Sequence, residues 1–385
     1  MSVKIGLIGK PNAGKSTFFS AATQSEAEIG NYPFTTVKPN IGVTFFKTRC
    51  PDQDISKKCE PNEGKCENGE RYIPIQIIDV PGLIEGASEG KGMGNEFLDN
   101  IRDVDAIILL FDLSGKDEYN QSKPWEDIRT VRNELIKWIS SRIYSDWEHF
   151  ARHADSSDDR MSKALLRKIS VFGIREKDVS VILEKEFFPA KFMLWTEDDA
   201  IKLAEAILKY SKPMVIVGNK ADIAPEDYMK KVLEDFPGTF FVSAEYELAL
   251  KKARNSGLIS SLDLDFKIIG GSAKQKEALE MIRRKLSENG ITRIYDLIER
   301  IAKYYLKYIV VYPVYDESKW TDKAGHVLPD AFVMQEGSTA LDLAYRVHTD
   351  IGDGFIRAVN ARSATILGKD YVLKDGDVIR IISKK

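Results

Sequence analysis

The chain alternates short apolar runs with longer stretches in which apolar residues recur every three or four positions. Val3-Lys4-Ile5-Gly6-Leu7-Ile8, Ala106-Ile107-Ile108-Leu109-Leu110-Phe111-Asp112 and Lys212-Pro213-Met214-Val215-Ile216-Val217-Gly218 have strand length and are mostly apolar, the pattern of strands buried on both faces. Further strands are read at residues 41–46, 73–78, 238–242, 308–312 and 378–382. Helical spacing is clearest over residues 125–149, where Ile128, Val131, Leu135, Ile136 and Ile139 follow a period of about 3.6 residues. Helices are also expected over 158–169, 178–187, 197–210, 273–288 and 293–306. Strands and helices in alternation predict an α/β fold. Residues 257–271 mix the two patterns and yield no single element.

Chemistry enters at the strand ends. Directly after the first strand, Gly9-Lys10-Pro11-Asn12-Ala13-Gly14-Lys15-Ser16 has the form G-x-x-x-x-G-K-S, a loop whose backbone N–H groups wrap a phosphate chain. Lys15 brings charge to the terminal phosphates, Ser16 a hydroxyl for Mg²⁺, and the following helix points its positive end at the anion. At the end of the strand over 212–218 stands Asn219-Lys220-Ala221-Asp222. A fixed carboxylate at Asp222 suits the adjacent N1–H and amine of guanine and opposes the N1 acceptor of adenine. Asn219 is expected to tie this loop to the phosphate loop, and the stem of Lys220 to cover the base. Ser243-Ala244-Glu245 follows the strand over 238–242 and fits a loop whose amide, at Ala244, reads the guanine carbonyl. Asp79-Val80-Pro81-Gly82 closes the strand over 73–78: Asp79 is placed to hold Mg²⁺ through water, and Gly82 to offer its N–H to the γ-phosphate.

With these motifs assembled, the chain resembles the Obg group of translation-factor-related GTPases, in its YchF-like branch. The resemblance rests on Gly9 to Thr17, on Asn31-Tyr32-Pro33-Phe34-Thr35-Thr36 with Pro39-Asn40-Ile41-Gly42, on residues 79–90 and 92–98, and on the guanine motif. It implies that Thr36 ligates Mg²⁺ beside Ser16 and Asp79, and that Gly9, Asn12, Ala13, Gly14, Lys15, Ser16 and Thr17 hold the phosphates, with Asn219, Lys220, Asp222, Ser243 and Ala244 around the base. YchF proper usually lacks an intact NKxD and prefers ATP. Asn219, Lys220 and Asp222 are all present here, so GTP and GDP are the expected ligands. Residues 337–352, Val359-Asn360-Ala361 and Leu373 to Ile379 look like a TGS domain, a small β-grasp module of synthetases and ribosome-linked GTPases. Read physically, Thr339 caps a helix that buries Leu341, Leu343, Ala344 and Val347, and Asp375-Gly376-Asp377 turns into the last strand. His348, near a helix end, reads as a cap or packed imidazole rather than a ligand.

The resulting expectation is an α/β P-loop NTPase (Ras-like) doubly wound sheet with a helical insertion and a C-terminal β-grasp (TGS) domain. The bounds are 1–115 plus 209–306 for the G domain, 116–208 for the inserted arm and 307–385 for the TGS domain. The insertion is inferred because roughly a hundred residues separate the strands ending at Asp112 and Gly218, far beyond an ordinary connection. Its short, charged helices suggest an antiparallel arm packed only partly on the core. Arg152, Arg160, Lys163, Arg167 and Lys168 there read first as a solvated face and second as an RNA contact.

Composition narrows the partners. A length of 385 residues allows two or three domains, and 43% hydrophobic content is ordinary. The net charge of −3 gives no global sign of a nucleic-acid binder, so DNA is not expected and RNA would need local patches. No apolar run is long enough to span a membrane, and the phosphate loop begins too near Met1 to leave room for a signal peptide, so the expected location is the cytoplasm. Cys50, Cys59 and Cys66 are the only cysteines and all lie in the polar segment 48–71. Their spacing is longer than usual zinc pairs and supplies three thiols for four positions, leaving free thiols, a disulfide or a metal open.

Hydrolysis is expected to rest on positioning and charge neutralisation by Lys15, Gly82 and Asn12. Leu83 stands where a water-orienting side chain is usual, which implies a slow intrinsic rate completed from outside. A ribosome or other partner that orders the glycine-rich segment is one completion. K⁺ ligated partly by Asn12 is the other. Three functions follow: a GTP-hydrolysing switch linked to the ribosome or translation, a nucleotide-gated protein-binding regulator (a stress or scaffold role) acting through the TGS module with incidental hydrolysis, or an ATPase like the YchF branch, which Asp222 disfavours.

Overall fold

The computed structural model describes residues 3–23, 41–80, 100–116, 123–288 and 290–384. Thr36 and Gly82, with Leu83, lie outside them.

Strands β1 (Val3–Ile8), β2 (Ile41–Arg49), β3 (Lys65–Glu67), β4 (Glu70–Asp79), β5 (Ala106–Asp112), β6 (Met214–Asn219) and β7 (Phe240–Phe241) form one seven-stranded sheet. Its order is β2-β4-β1-β5-β6-β7, with β3 added on β4. The β4-β1-β5-β6-β7 run is parallel, while β2 and β3 pair with β4 antiparallel. All seven residues of β5 are buried, as a central strand covered on both faces requires. Parallel register brings the carboxyl ends together: Leu7 lies opposite Asp79, Ile8 opposite Leu109, and Asp112 opposite Asn219. In such sheets ligands bind along that edge.

Among the described residues, the connection from β5 to β6 carries five α-helices: α2 (Pro124–Tyr144), α3 (Trp147–Asp155), α4 (Met161–Ile169), α5 (Glu176–Lys185) and α6 (Glu197–Ala206), after α1 (Lys15–Ala22) at the phosphate loop. They correct the expectation of a loosely packed arm. Ile128, Val131, Leu135 and Ile139 of α2 belong to one continuous core with Leu109 and Phe111 of β5, and that core runs on through Trp138, Trp147, Phe172, Phe192 and Trp195. Five large rings supply the burial that the short helices lack individually. The charged residues face outward: Arg152 pairs with Glu148, while Lys163 and Arg167 both pair with Asp159. Such exposed pairs contribute little and mark a solvated face.

Beyond β6, α7 (Glu226–Asp235), α8 (Ala244–Asn255), α9 (Ala273–Glu288) and α10 (Ile294–Arg300) complete the cover of the sheet. The chain then forms β8 (Tyr308–Val314), β9 (Phe332–Gln335), α11 (Ala340–Val347), α12 (Thr349–Asp353), β10 (Phe355–Asn360), β11 (Thr365–Leu367) and β12 (Val378–Ser383). The five strands are ordered β11-β10-β12-β8-β9, with β12 and β8 parallel and the other pairs antiparallel. Ala340 and Leu343 of α11 fill this second sheet's core with Ile309, Val311, Ala358 and Ile379. Thr339 caps α11 as the sequence suggests, its Oγ1 accepting the Asp342 amide at 3.2 Å. His348 caps α12, its Nδ1 accepting the Asp350 amide at 3.2 Å.

The two sheets are packed together. Tyr312, Trp320, Leu328 and Val378 share a core with Phe46, Cys50, Cys59 and Ile73 of the larger domain. Arg71 of β4 is fully buried in that contact and donates from Nη1 to Leu328 O at 3.0 Å and from Nη2 to Pro329 O at 2.7 Å.

Candidate nucleotide site

The loop between β1 and α1 is shaped by close backbone approaches. A Cβ at Gly9 would stand 2.1 Å from Leu110 O. Gly14 has φ 86°, and a Cβ there would stand 2.3 Å from Asn219 Nδ2. Both positions need glycine. Asn12 is exposed with φ 63°, a left-handed conformation that asparagine tolerates better than most residues. Lys15 turns back over the loop and donates to Gly9 O at 2.8 Å and Lys10 O at 3.0 Å. Burial lowers its pKa, and the charge of Asp79 opposes that shift. Ser16 is exposed at the start of α1, whereas Ala13 is buried and Thr17 half-buried.

Asp79 ends β4. Its Oδ1 is buried with no hydrogen-bond partner among the described residues. Burial raises its pKa, and nearby Lys15 holds the shift back. A buried carboxylate oxygen without a donor is costly unless a cation or water meets it. Ser16 and Asp79 therefore fit a hard, oxygen-seeking ion such as Mg²⁺.

The second half of the site hangs on Asn219. Its Nδ2 donates to Ala13 O at 2.9 Å, joining the Asn219–Asp222 loop to the phosphate loop. Its Oδ1 accepts the Ala244 amide at 3.0 Å. This changes the expectation for Ala244, whose amide was assigned to a base carbonyl. Asn219 is buried between the two segments, so both ends of its side-chain amide take protein partners. Asp222 is half-buried, and Ser243 Oγ donates to its Oδ1 at 2.6 Å while accepting the Tyr246 amide at 3.3 Å as the cap of α8. Lys220, at φ 61°, stretches its ammonium to Asp112 Oδ2 at 2.6 Å. Asp112 Oδ1 accepts both the amide (2.8 Å) and the hydroxyl (2.6 Å) of Ser114. This aspartate was missed in the sequence, although a carboxylate closing an apolar strand was there to be noticed. Lys10, paired with Asp127 of α2 at 2.8 Å, was missed as well.

Three family models match in succession: a 50S ribosome-binding GTPase over residues 4–143, the G4-motif domain of YGR210-like Obg-like GTPases over 217–316, and a TGS domain over 324–383. The chain is 44% identical over 391 residues to an uncharacterised GTP-binding protein of Methanocaldococcus jannaschii, covering 98% of each. It belongs to the YchF-like branch of the Obg family. It is also 28% identical to the ribosome-binding ATPase YchF of Bacillus subtilis, covering 98% of both chains. Among solved structures, a GTP-binding protein of Pyrococcus horikoshii matches with a TM-score of 0.79 at 32% identity, over 99% of this chain and 100% of that one. Family membership makes this a P-loop NTPase fold with a TGS domain. No described helix is long and apolar enough to cross a membrane.

Proposed function

We propose that the chain is a Mg²⁺-dependent guanine-nucleotide switch that hydrolyses GTP to GDP and phosphate slowly and works with the ribosome. The observation that carries the reading is the anchoring of the Asn219–Asp222 loop: Asn219 bonds the phosphate loop at Ala13 O, and Ser243 orients the carboxylate of Asp222. A carboxylate fixed beside a phosphate cradle selects a base offering two adjacent donors. The amides of Gly9 to Thr17 and the Lys15 ammonium then hold the phosphates. Lys15 is already aimed across the loop mouth, so little reorganisation is needed when charge develops toward the β-phosphate. Mg²⁺ held by Ser16 and Asp79, with Thr36, supplies further charge neutralisation when bound. Asn12 is exposed in the loop and would supply a ligand to K⁺, and Gly82 would contribute its amide to the γ-phosphate. Ribosome association is carried over from the name of the Bacillus subtilis relative.

An ATPase reading draws on two observations. That same relative is named an ATPase, and the Ala244 amide is occupied by Asn219. Titration of the purified chain with GTP, GDP, ATP and ADP in Mg²⁺ decides between them. Guanine preference is expected, and Asp222→Asn should weaken GTP by about 1–3 kcal/mol and admit xanthosine nucleotides. Equal or tighter ATP binding would remove the guanine assignment. Turnover faster in K⁺ than in Na⁺ is expected, and equal rates would remove K⁺ from the scheme. Sedimentation with ribosomal subunits under GTP but not GDP is expected for a switch. Sedimentation indifferent to nucleotide would favour a protein-binding regulator instead.

A further inference from the structure

At the end of the hairpin farthest from the nucleotide site, four side chains converge that the sequence scatters over seventeen positions, from Cys50 to Cys66. Cys50 follows β2, Asp52 lies in a 3-10 turn (Pro51–Asp54), Cys59 lies in the irregular segment beyond it, and Cys66 is in β3. One ligand atom from each lies within 4.8 Å of every other. The Sγ atoms of Cys50 and Cys59 are 3.6 Å apart, and Cys66 Sγ is 3.7 Å from Asp52 Oδ2. Tetrahedral Zn²⁺, with Zn–S about 2.3 Å and Zn–O about 2.0–2.2 Å, requires edges of roughly 3.5–3.8 Å. The two measured edges already have that length. A disulfide would need about 2.05 Å, and the three cysteines are free thiols.

We propose that Cys50, Cys59, Cys66 and Asp52 form a structural zinc site that fastens the β-grasp domain to the nucleotide-binding domain. The aspartate is the fourth ligand that the sequence pattern lacked. Cys50, Cys59 and Asp52 are buried, and Asp52 Oδ1 has no partner among the described residues. A carboxylate buried this way is expensive without a cation. Asp52 Oδ2 accepts the Cys59 amide at 3.3 Å, an outer contact that orients the ligand. Buried Arg71 approaches Cys59 Sγ at 3.7 Å and offsets part of the negative charge of three thiolates and a carboxylate. A donor set of three sulfurs and one carboxylate oxygen suits zinc.

The segment between the ligands does the fastening. Glu60 N donates to Val327 O at 2.8 Å, Asn62 N to Pro329 O at 2.9 Å, and Val327 N returns a bond to Glu60 Oε2 at 3.1 Å. Residues 50–69 contain only the 3-10 turn and three-residue β3 as regular structure, so little local structure orders them. An ion tying the segment at four points would hold it in the shape that meets residues 327–330, in the way small metal knuckles order short chains.

The test uses the full-length protein purified without chelators. About one zinc per chain is expected by elemental analysis, and replacement by Co²⁺ should give the thiolate-to-metal charge-transfer band and intense visible bands of a tetrahedral sulfur site. Cys66→Ser and Asp52→Asn should each lower zinc affinity at least tenfold, with nucleotide titration unchanged. Removing zinc from the unaltered chain should increase hydrogen exchange over 50–69 and 327–330, which keeps the proposal testable if a variant fails to fold. Less than a tenth of an equivalent of zinc, with no Co²⁺ charge-transfer band after loading, would overturn it. So would a Cys50–Cys59 disulfide in protein analysed without reductant.

Discussion

Gly14 shows how tightly single residues are constrained in this pocket. Its φ of 86° and the 2.3 Å separation between a built Cβ and Asn219 Nδ2 mean that Gly14→Ala must displace Asn219, the residue joining both halves of the site. Nucleotide affinity should fall at least about tenfold, on the order of 1.4 kcal/mol, because strain and a broken buried hydrogen bond act together. Calorimetric titration with GDP checks it, and unchanged affinity would mean that Asn219 is not the joint. Lys212 is a different case. It is buried and donates to Arg102 O at 3.0 Å and to Val104 O, and desolvation depresses its pKa from 10.5 to about 8. The folded-state pKa lies below the unfolded one, so its favourable contribution is present above pH 10.5 and is lost as pH falls through about 8. Unfolding free energy should therefore rise from pH 8 to 10.5 by up to about 3 kcal/mol on account of this residue. Denaturant titrations across that range, compared with Lys212→Met, should show the slope flattened in the variant. At this scale the sequence was legible where a motif is contiguous, as in Gly9 to Ser16, where the backbone requires glycine at both Gly9 and Gly14. Asp112 escaped notice because its partner Lys220 is 108 positions away.

At the scale of elements, strands and helix caps were readable and long-range packing was not. The span 106–112 was read as a strand and forms β5, because a fully buried strand writes itself as an unbroken apolar run. The helix expected over 125–149 is instead two, separated at Asp146 with φ 52°. The apolar period continues across that break, so periodicity alone could not reveal it. The break redirects Trp147 onto Trp195, 5.4 Å between ring centroids, a contact forty-eight positions away. The cap of α11 was visible because it is local. Thr339 N donates to Asp342 Oδ2 at 2.7 Å and Thr339 Oγ1 accepts in return, so both halves of a capping box are made. Thr339→Ala should cost about 1 kcal/mol and lower the melting midpoint, whereas Thr339→Ser should recover most of it. Equal loss from both replacements would place the effect in methyl packing rather than in the hydroxyl.

Across the whole molecule, one strand serves two sites. β4 carries Arg71 near its start and Asp79 at its end, about 27 Å apart along an extended chain of eight steps. Asp79 enters the nucleotide pocket, and Arg71 closes the contact with the β-grasp domain. The guanidinium is the only described side chain donating to both Leu328 O and Pro329 O, so Arg71→Met would strip Leu328 O of that donor, leave Pro329 O with only the Asn62 amide, and remove the cation beside Cys59. Because hydrophobic packing of Tyr312 and Trp320 against Cys50 and Ile73 remains, the domains should loosen rather than unfold. Hydrogen exchange is expected to rise at residues 327–330 and in the segment 59–62, with the amides of β1 and β5 still protected. GDP affinity should stay within twofold, since the change lies at the far end of β4 from Asp79. Exchange that rises instead across β1, β5 and β6 would show that Arg71 supports the whole nucleotide-binding core, and that the two ends of β4 are not independent.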